Sequence, residues 1–306
     1  MSAMLKPLVA WSLAEAVVSD FIRKGAHLFE APLDPAACAA LLAEIRKTRR
    51  FDGSLFLSEA ELDAHPQDGA PNLLDSLQHR LSFVERAPQI VEALWTLLGP
   101  DYGLLDRRVV CSLPSEALPG WLKRRVYGEA TGDLGAYVRP AFRDITYSCG
   151  VDFHQDLIGY PDRPADFVTL DVHLHPVAET DAPLHLLEGS HRLGGQLFPH
   201  DLKRTGPESW RYRGDDHSEM YVTERALTGE AGFCALWHPC TLHGTPPSPA
   251  GEARISLRYL FARGSAQTCG LDTVNATLAG PLSLAHARRD QSVEGVARRG
   301  TWTRDT

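Results

Sequence analysis

At 306 residues, with 43% hydrophobic and 23% charged residues, the chain has the composition of an ordinary globular protein and is long enough to bury a substantial core. Its formal charge of -8 comes without a Lys/Arg block long enough to track a phosphate backbone, which argues against nucleic acid as a partner; Lys123-Arg124-Arg125 is the one local basic run. No stretch of about 18 apolar residues occurs, and Met1 to Pro7 lacks the features of a signal peptide, so the expectation is a soluble, cytoplasmic protein with no membrane partner.

In chain order, the first hundred residues read as helical. Asp34-Pro35 has the form of an N-cap followed by proline at the first helical position, and Cys38, Leu41, Leu42 and Ile45 follow at helical spacing. Ser58-Glu59-Ala60-Glu61 has the capping-box form, and Leu73 to Val84 and Ile90 to Leu98 continue the amphipathic pattern until Gly99-Pro100 stops it. Val109 to Leu113 then reads as a strand, and Pro114 to Gly135, with Trp121 and the basic run, as a loop long enough to be a lid. Phe167 to Val177 alternates with period two: Val168, Leu170, Val172 and Leu174 face one way, Thr169, Asp171, His173 and His175 the other. Leu184 to Leu187, Gly232 to Trp237 and Ile255 to Phe261 are further strands between glycine, proline and polar turns. Strands after a helical start predict a β-barrel or sandwich core braced by helices. The division expected is a single domain over 1–306, with a largely helical buttress at 1–100, a β core with its lid loop at 101–265 and a C-terminal extension at 266–306.

The chemistry concentrates in Phe153-His154-Gln155-Asp156, answered downstream by His243 and Arg254. On a strand, His154 and Asp156 at i and i+2 share a face, and a second imidazole from His243 completes a 2-His-1-carboxylate set with about three coordination positions open. Open positions mean catalysis by a mononuclear iron rather than a structural metal. The six cysteines lack C-x-x-C spacing and read as reduced thiols, so they offer no competing zinc site. His238 is the rival histidine and Arg258 the rival guanidinium, the latter on the same strand face as Arg254. Arg254 could also form a structural ion pair with Glu252. Trp237 reads as core, and His173 or Thr169 as a contact to a ligand or to the groups that orient it.

The stretch from His154 to Phe261 resembles the phytanoyl-CoA hydroxylase-like family of Fe(II)/2-oxoglutarate-dependent dioxygenases. The matching pieces are His154-Gln155-Asp156-Leu157, the turn from Tyr160 and Pro161 through Arg163-Pro164 to Asp166, and Glu188-Gly189-Ser190-His191. Pro199-His200-Asp201, Leu242-His243-Gly244-Thr245 and Arg254 follow in order. The resemblance implies a double-stranded β-helix, a jelly roll with the metal at its open mouth. It implies His154, Asp156 and His243 as iron ligands, Arg254 as the clamp on the distal carboxylate of 2-oxoglutarate, Thr245 beside it, and Gln155 near the cosubstrate. Thr169 is placed with the cosubstrate contacts, and His191 is expected to order a turn.

The cofactors implied are Fe(II), 2-oxoglutarate and O2. The activity implied is hydroxylation of an unactivated carbon of a small molecule (an amino-acid derivative, a natural-product intermediate or an acyl thioester), with succinate and CO2 as coproducts. Related halogenases have a small residue where this chain keeps Asp156, so an intact carboxylate points to an alcohol or another oxidised carbon. Three departures, Asp181-Ala182-Pro183 before the Ser190-His191 turn, Glu188 in place of the turn's proline and Pro246-Pro247-Ser248-Pro249 after the distal histidine, fall in connections. The alternatives are a non-catalytic metal- or ligand-binding barrel of the same fold and an oxygenase that does not use 2-oxoglutarate. Arg143, Tyr147 and Arg263 are expected wall or lid contributors because they flank the ligand strands, and a homo-oligomer is compatible with the helical start.

Overall fold

The computed structural model describes residues 12–64, 71–126, 133–160, 162–248, 251–264, 267–286 and 288. The expectations for Met1 to Pro7, for Pro161 and Pro249, for residues 127–132 of the lid loop and for residues 266, 287 and 289–306 of the C-terminal extension lie outside them.

Ser12 and Glu15 cap each other at the start of α1 (Leu13–Lys24), the serine backbone N–H donating to the Glu15 carboxylate at 3.0 Å. Gly25 ends the helix at φ +78, and β1 (Ala26–Phe29) follows at once, a strand inside the stretch expected to be helical. The Asp34 cap and Pro35 open α2 (Pro35–Thr48), which buries Cys38, Leu41, Leu42 and Ile45 as the spacing predicts. Ser58 donates to Glu61, but the segment is a 3-10 helix over Glu59–Ala64. The run from Leu73 breaks into α3 (Leu73–Ser76), a 3-10 turn (Gln78–Arg80) and α4 (Ser82–Glu85). The Ser76 hydroxyl donates to the Leu73 carbonyl, one of the local bonds that let serine compete with helix propagation. α5 (Pro88–Leu98) stops at Gly99.

The remaining elements are β2 (Gly103–Ser112), α6 (Gly120–Val126), β3 (Thr146–Ser148), β4 (Val151–His154), β5 (Phe167–His173), β6 (His185–Glu188), β7 (Asp201–Arg204), β8 (Ser209–Arg213), β9 (Glu219–Ala226), β10 (Cys234–Trp237), β11 (His243–Thr245), β12 (Arg254–Ala262) and α7 (Gly270–Asn275). The expected lid loop thus contains the helix α6. Among the described residues twelve strands form two six-stranded sheets, β1-β10-β5-β12-β2-β3 and β4-β11-β6-β9-β8-β7, antiparallel except for the β2–β3 pair. Mostly β structure, two curled sheets and flanking helices make this the jelly roll that the sequence predicts.

The alternation in β5 decides what each face of the first sheet meets. Val168, Leu170, Val172 and Leu174 join Val109, Leu257 and Tyr259 in one apolar core with Val17, Phe21, Leu41, Ile45 and Leu94 of the helices. The opposite face turns Thr169, Asp171 and His173 toward the interior, beside Arg254, Ser256 and Arg258 of β12. The second sheet has a smaller core of its own, including Phe153, Leu187, Trp210, Tyr212, Val222 and Leu242.

The end of α1 is stitched to the second sheet. The carbonyl of Lys24 accepts from Gly189 N–H at 2.7 Å, that of Arg23 from the Arg192 guanidinium at 2.7 Å, and that of Gly25 from both His238 N–H and the Thr241 hydroxyl. A Cβ at Gly25 would lie 2.5 Å from His191 Nδ1 and from Thr241 Oγ1, so glycine is required by contact as well as by its φ.

Candidate active site

The two histidines are brought together by strand pairing: β11 runs antiparallel to β4 with His243 directly opposite His154, and the imidazole centroids are 4.2 Å apart. His154 is the last residue of β4, whereas Asp156 opens a 3-10 turn, Asp156–Gly159. The expectation of a shared strand is therefore corrected: Gln155 keeps extended backbone angles (φ -102, ψ 146) and delivers the carboxylate beside the imidazoles from a turn. His243 Nε2 lies 3.5 Å from Asp156 Oδ1, and one donor atom from each of the three residues lies within 4.8 Å of the others.

Backbone carbonyls fix both rings. His154 Nδ1 is 2.9 Å from the Asp152 carbonyl and His243 Nδ1 is 3.0 Å from that of Thr241, so each Nδ1 carries the proton and each Nε2 keeps its lone pair toward Asp156. Burial, with His243 alongside, pushes His154 down to about 3, which leaves it neutral and ready to ligate. Burial alone would raise Asp156, yet His243, Arg258 and His154 around it hold its carboxyl below the usual range. Its Oδ2 accepts from the Thr169 hydroxyl at 2.7 Å and from the Trp237 indole at 2.9 Å, which leaves Oδ1 to face the histidines. Two imidazole lone pairs and one carboxylate oxygen, without a thiolate, fit a divalent iron.

A cavity of about 580 Å³ opens on this cluster, lined among others by His154, His243, Trp237, Thr245, Arg254 and Arg258. Arg254, the first residue of β12, is 3% exposed; its Nε donates to the Ala182 carbonyl at 3.0 Å, Nη1 to Ser256 Oγ and Nη2 to Thr245 Oγ1, both at 3.4 Å. Burial lowers its pKa, against the pull of Asp171. Glu252, the acid suspected of pairing with it, is exposed and turns to Arg46 at 3.7 Å. A buried guanidinium whose bonds all run to neutral oxygens fits the carboxylate end of an oxoacid.

Other expected residues sit elsewhere. Gln155 spans the Gly194 and Cys240 carbonyls, each at 2.8 Å, and accepts from Gln196 N–H, so it ties loops together instead of reaching the cavity. The Thr169 hydroxyl donates to Asp156, the orienting role that the sequence left open beside a cosubstrate contact. The rival His238 is occupied by Asn275 at Nε2 and by Cys240 N–H at Nδ1. His191 is fully buried under Gly25, and His175 accepts from Ile255 N–H. Tyr147 is packed into the helix-side core, Arg143 binds the Val138 carbonyl and Arg263 pairs with Asp272 at 2.6 Å, so none lines the cavity. Trp237 is buried in a core cluster, as expected, and its indole N–H also holds the Asp156 carboxylate; an indole N–H that needs a partner when buried was the available signal.

Comparison with known proteins agrees with this geometry. The chain is 34% identical over 113 residues (36% of its length) to a probable alpha-ketoglutarate-dependent hypophosphite dioxygenase of Stutzerimonas stutzeri, and 26% identical over 125 residues (36%) to an L-proline trans-4-hydroxylase of Streptomyces griseoviridis. These matches span 38% and 44% of the relatives' own lengths. In fold it is similar to EvdO2 from Micromonospora carbonacea var. aurantiaca (TM-score 0.52, 14% identity, 86% of this chain and 96% of that one). It is also similar to the non-heme alpha ketoglutarate dependent epimerase SnoN from nogalamycin biosynthesis (TM-score 0.50, 18% identity, 90% and 94%). Among the described residues no helix is long and apolar enough to cross a membrane. The family model of phytanoyl-CoA dioxygenase (PhyH) matches residues 21–255, which take in all three ligand candidates and Arg254, and the chain belongs to that family.

Proposed function

We propose that the protein is an Fe(II)/2-oxoglutarate-dependent oxygenase that hydroxylates an unactivated carbon of a small molecule, with succinate and CO2 as coproducts. The observation that carries this reading is the convergence of the His154, Asp156 and His243 donor atoms in the same cavity as the buried, carboxylate-free guanidinium of Arg254. Iron bound there supplies the coupling of O2 activation to oxidative decarboxylation of the oxoacid. The protein's part is orientation and exclusion of water. His154 and His243 present Nε2, Asp156 presents Oδ1, and Trp237 and Thr169 keep Asp156 Oδ2 occupied so that the carboxylate cannot swing. Arg254 and Thr245 hold the distal carboxylate of 2-oxoglutarate. Val110, Ile158, Leu184 and Phe198 give the cavity apolar wall against which a C–H bond can rest.

The candidate substrates are an amino-acid derivative, a natural-product intermediate or an acyl thioester; the hypophosphite and L-proline named for the two relatives support small-molecule scale. Retention of Asp156 supports hydroxylation over halogenation. The test is anaerobic titration with Fe(II) and 2-oxoglutarate, expected to give the weak visible charge-transfer band of a chelated oxoacid, followed by succinate formation coupled to O2 uptake. His154→Ala and Asp156→Ala should each lower succinate formation by more than about 100-fold, beyond the range for groups that only support a ligand. Equal rates in variants and parent would remove the iron assignment.

A further inference from the structure

The inner wall of the first sheet carries a charged row beside the iron site, which feels only the charge of its Arg258, through Asp156. Strand register places Arg258 of β12 directly opposite Asp171 of β5 on one side and directly opposite Arg108 of β2 on the other, and all three line the cavity that holds His154 and His243. Two guanidinium groups facing each other across paired strands oppose pairing. They share one carboxylate, Asp106 Oδ2, at 3.3 Å from Arg108 Nε and 3.3 Å from Arg258 Nη2, both long for charged hydrogen bonds. Arg258 Nε is buried with no hydrogen-bond partner among the described residues. Asp171 does not neutralise the pair: its Oδ2 is buried without a hydrogen-bond partner, and its nearest ionisable contact is His173 at 3.6 Å. The other acids of the cavity wall, Asp133 and Asp152, accept from the backbone N–H groups of Gly135 and Phe153.

We infer that Arg258 and Arg108 form a second oxyanion subsite, separate from Arg254, that takes the carboxylate or phosphoryl-type oxygens of the primary substrate. The inference rests on the oxygenase reading and narrows it to acidic small molecules. Planar guanidinium forks suit such groups, and the partnerless Arg258 Nε with the two long bonds to a single Asp106 oxygen leaves donors for them. Asp171, at the other end of the row, offers its free oxygen to a hydroxyl or ammonium donor on the same molecule.

The acid group could instead be the proximal carboxylate of 2-oxoglutarate, and the experiment separates the two sources. Inorganic phosphate serves as the probe, titrated calorimetrically into the metal-free protein and into the anaerobic Fe(II)/2-oxoglutarate complex. The expected result is binding in both, weakened at least about tenfold in Arg258→Gln and in Arg108→Gln, with 2-oxoglutarate affinity read from the charge-transfer band staying within about threefold of the parent. Arg108 is 39% exposed at its side chain, so Arg108→Gln keeps the test open if Arg258→Gln fails to fold. Phosphate that does not bind the parent, binds both variants as tightly as the parent, or displaces 2-oxoglutarate would overturn the subsite. Loss of 2-oxoglutarate affinity in Arg258→Gln equal to that in Arg254→Gln would assign the row to the cosubstrate and overturn it too. A parent that forms no charge-transfer band but still binds phosphate would fail the oxygenase reading, and a normal band without phosphate binding would fail this inference alone.

Discussion

The two sheets divide the work unequally. The first is backed by helices along its outer face and anchors one large core, and from its inner face come Arg254, Thr169, Trp237 and the Asp171–Arg258–Arg108 row. The second carries both candidate ligand histidines, on the short strands β4 and β11, over a much smaller cluster of buried side chains. Long strands with continuous register position groups that must hold distances to a bound molecule. The two histidines instead obtain their precision from local carbonyls two residues back, and Asp156 from donors reaching across from the other sheet.

That division can be broken from either side. The largest expected effect is on the helix-braced sheet: Leu257→Ala removes a fully buried side chain from the main core and should cost about 2–5 kcal/mol in a denaturant titration, while the iron site of the molecules that remain folded keeps its charge-transfer band. If the band vanished before the fold did, the two layers would not be separable. Next come the donors that cross between sheets. Trp237→Phe and Thr169→Val each remove one of the two donors to Asp156 Oδ2 and should lower iron affinity by about 10–100-fold with little change in the unfolding midpoint. An unchanged affinity would show that the carboxylate needs no support. The smallest effect belongs to the outer face of the second sheet, where Tyr221 on β9 is 73% exposed; Tyr221→Thr should change stability by no more than about 0.5 kcal/mol and leave iron binding alone.

The same contrast explains what the chain revealed in advance. β5 and β12 were readable because one apolar face and one polar face leave an alternating signature, and the α2 cap because Asp34-Pro35 is a local stop-and-start signal. β1, β3, β4 and β11 are three or four residues long, too short to display a period, and β7 to β9 alternate with charged residues on a surface that looks like turn sequence. In the site, His154, Asp156, His243 and Arg254 were legible as a spaced set. The turn that presents Asp156, the diversion of Gln155 into loop contacts and the Trp237 bond were not, because each depends on a partner more than 35 residues away in sequence or on a break in strand geometry that no local pattern encodes.

Gly25 and the carbonyls just before it bear on how the molecule tolerates change in length. Helix α1, strand β1, the turn that follows β6 and the segment leading into His243 meet at this one backbone knot, with a glycine flush against two side chains and three successive carbonyls already spoken for. An inserted residue between α1 and β1 would have to unpick bonds that reach within two residues of His243. An insertion at the β7–β8 hairpin, around Gly206 and Pro207, meets exposed backbone. Loop grafting and chain extension in this protein therefore belong at the far end of the second sheet, and the helix that looks like a detachable brace is the place where length is fixed.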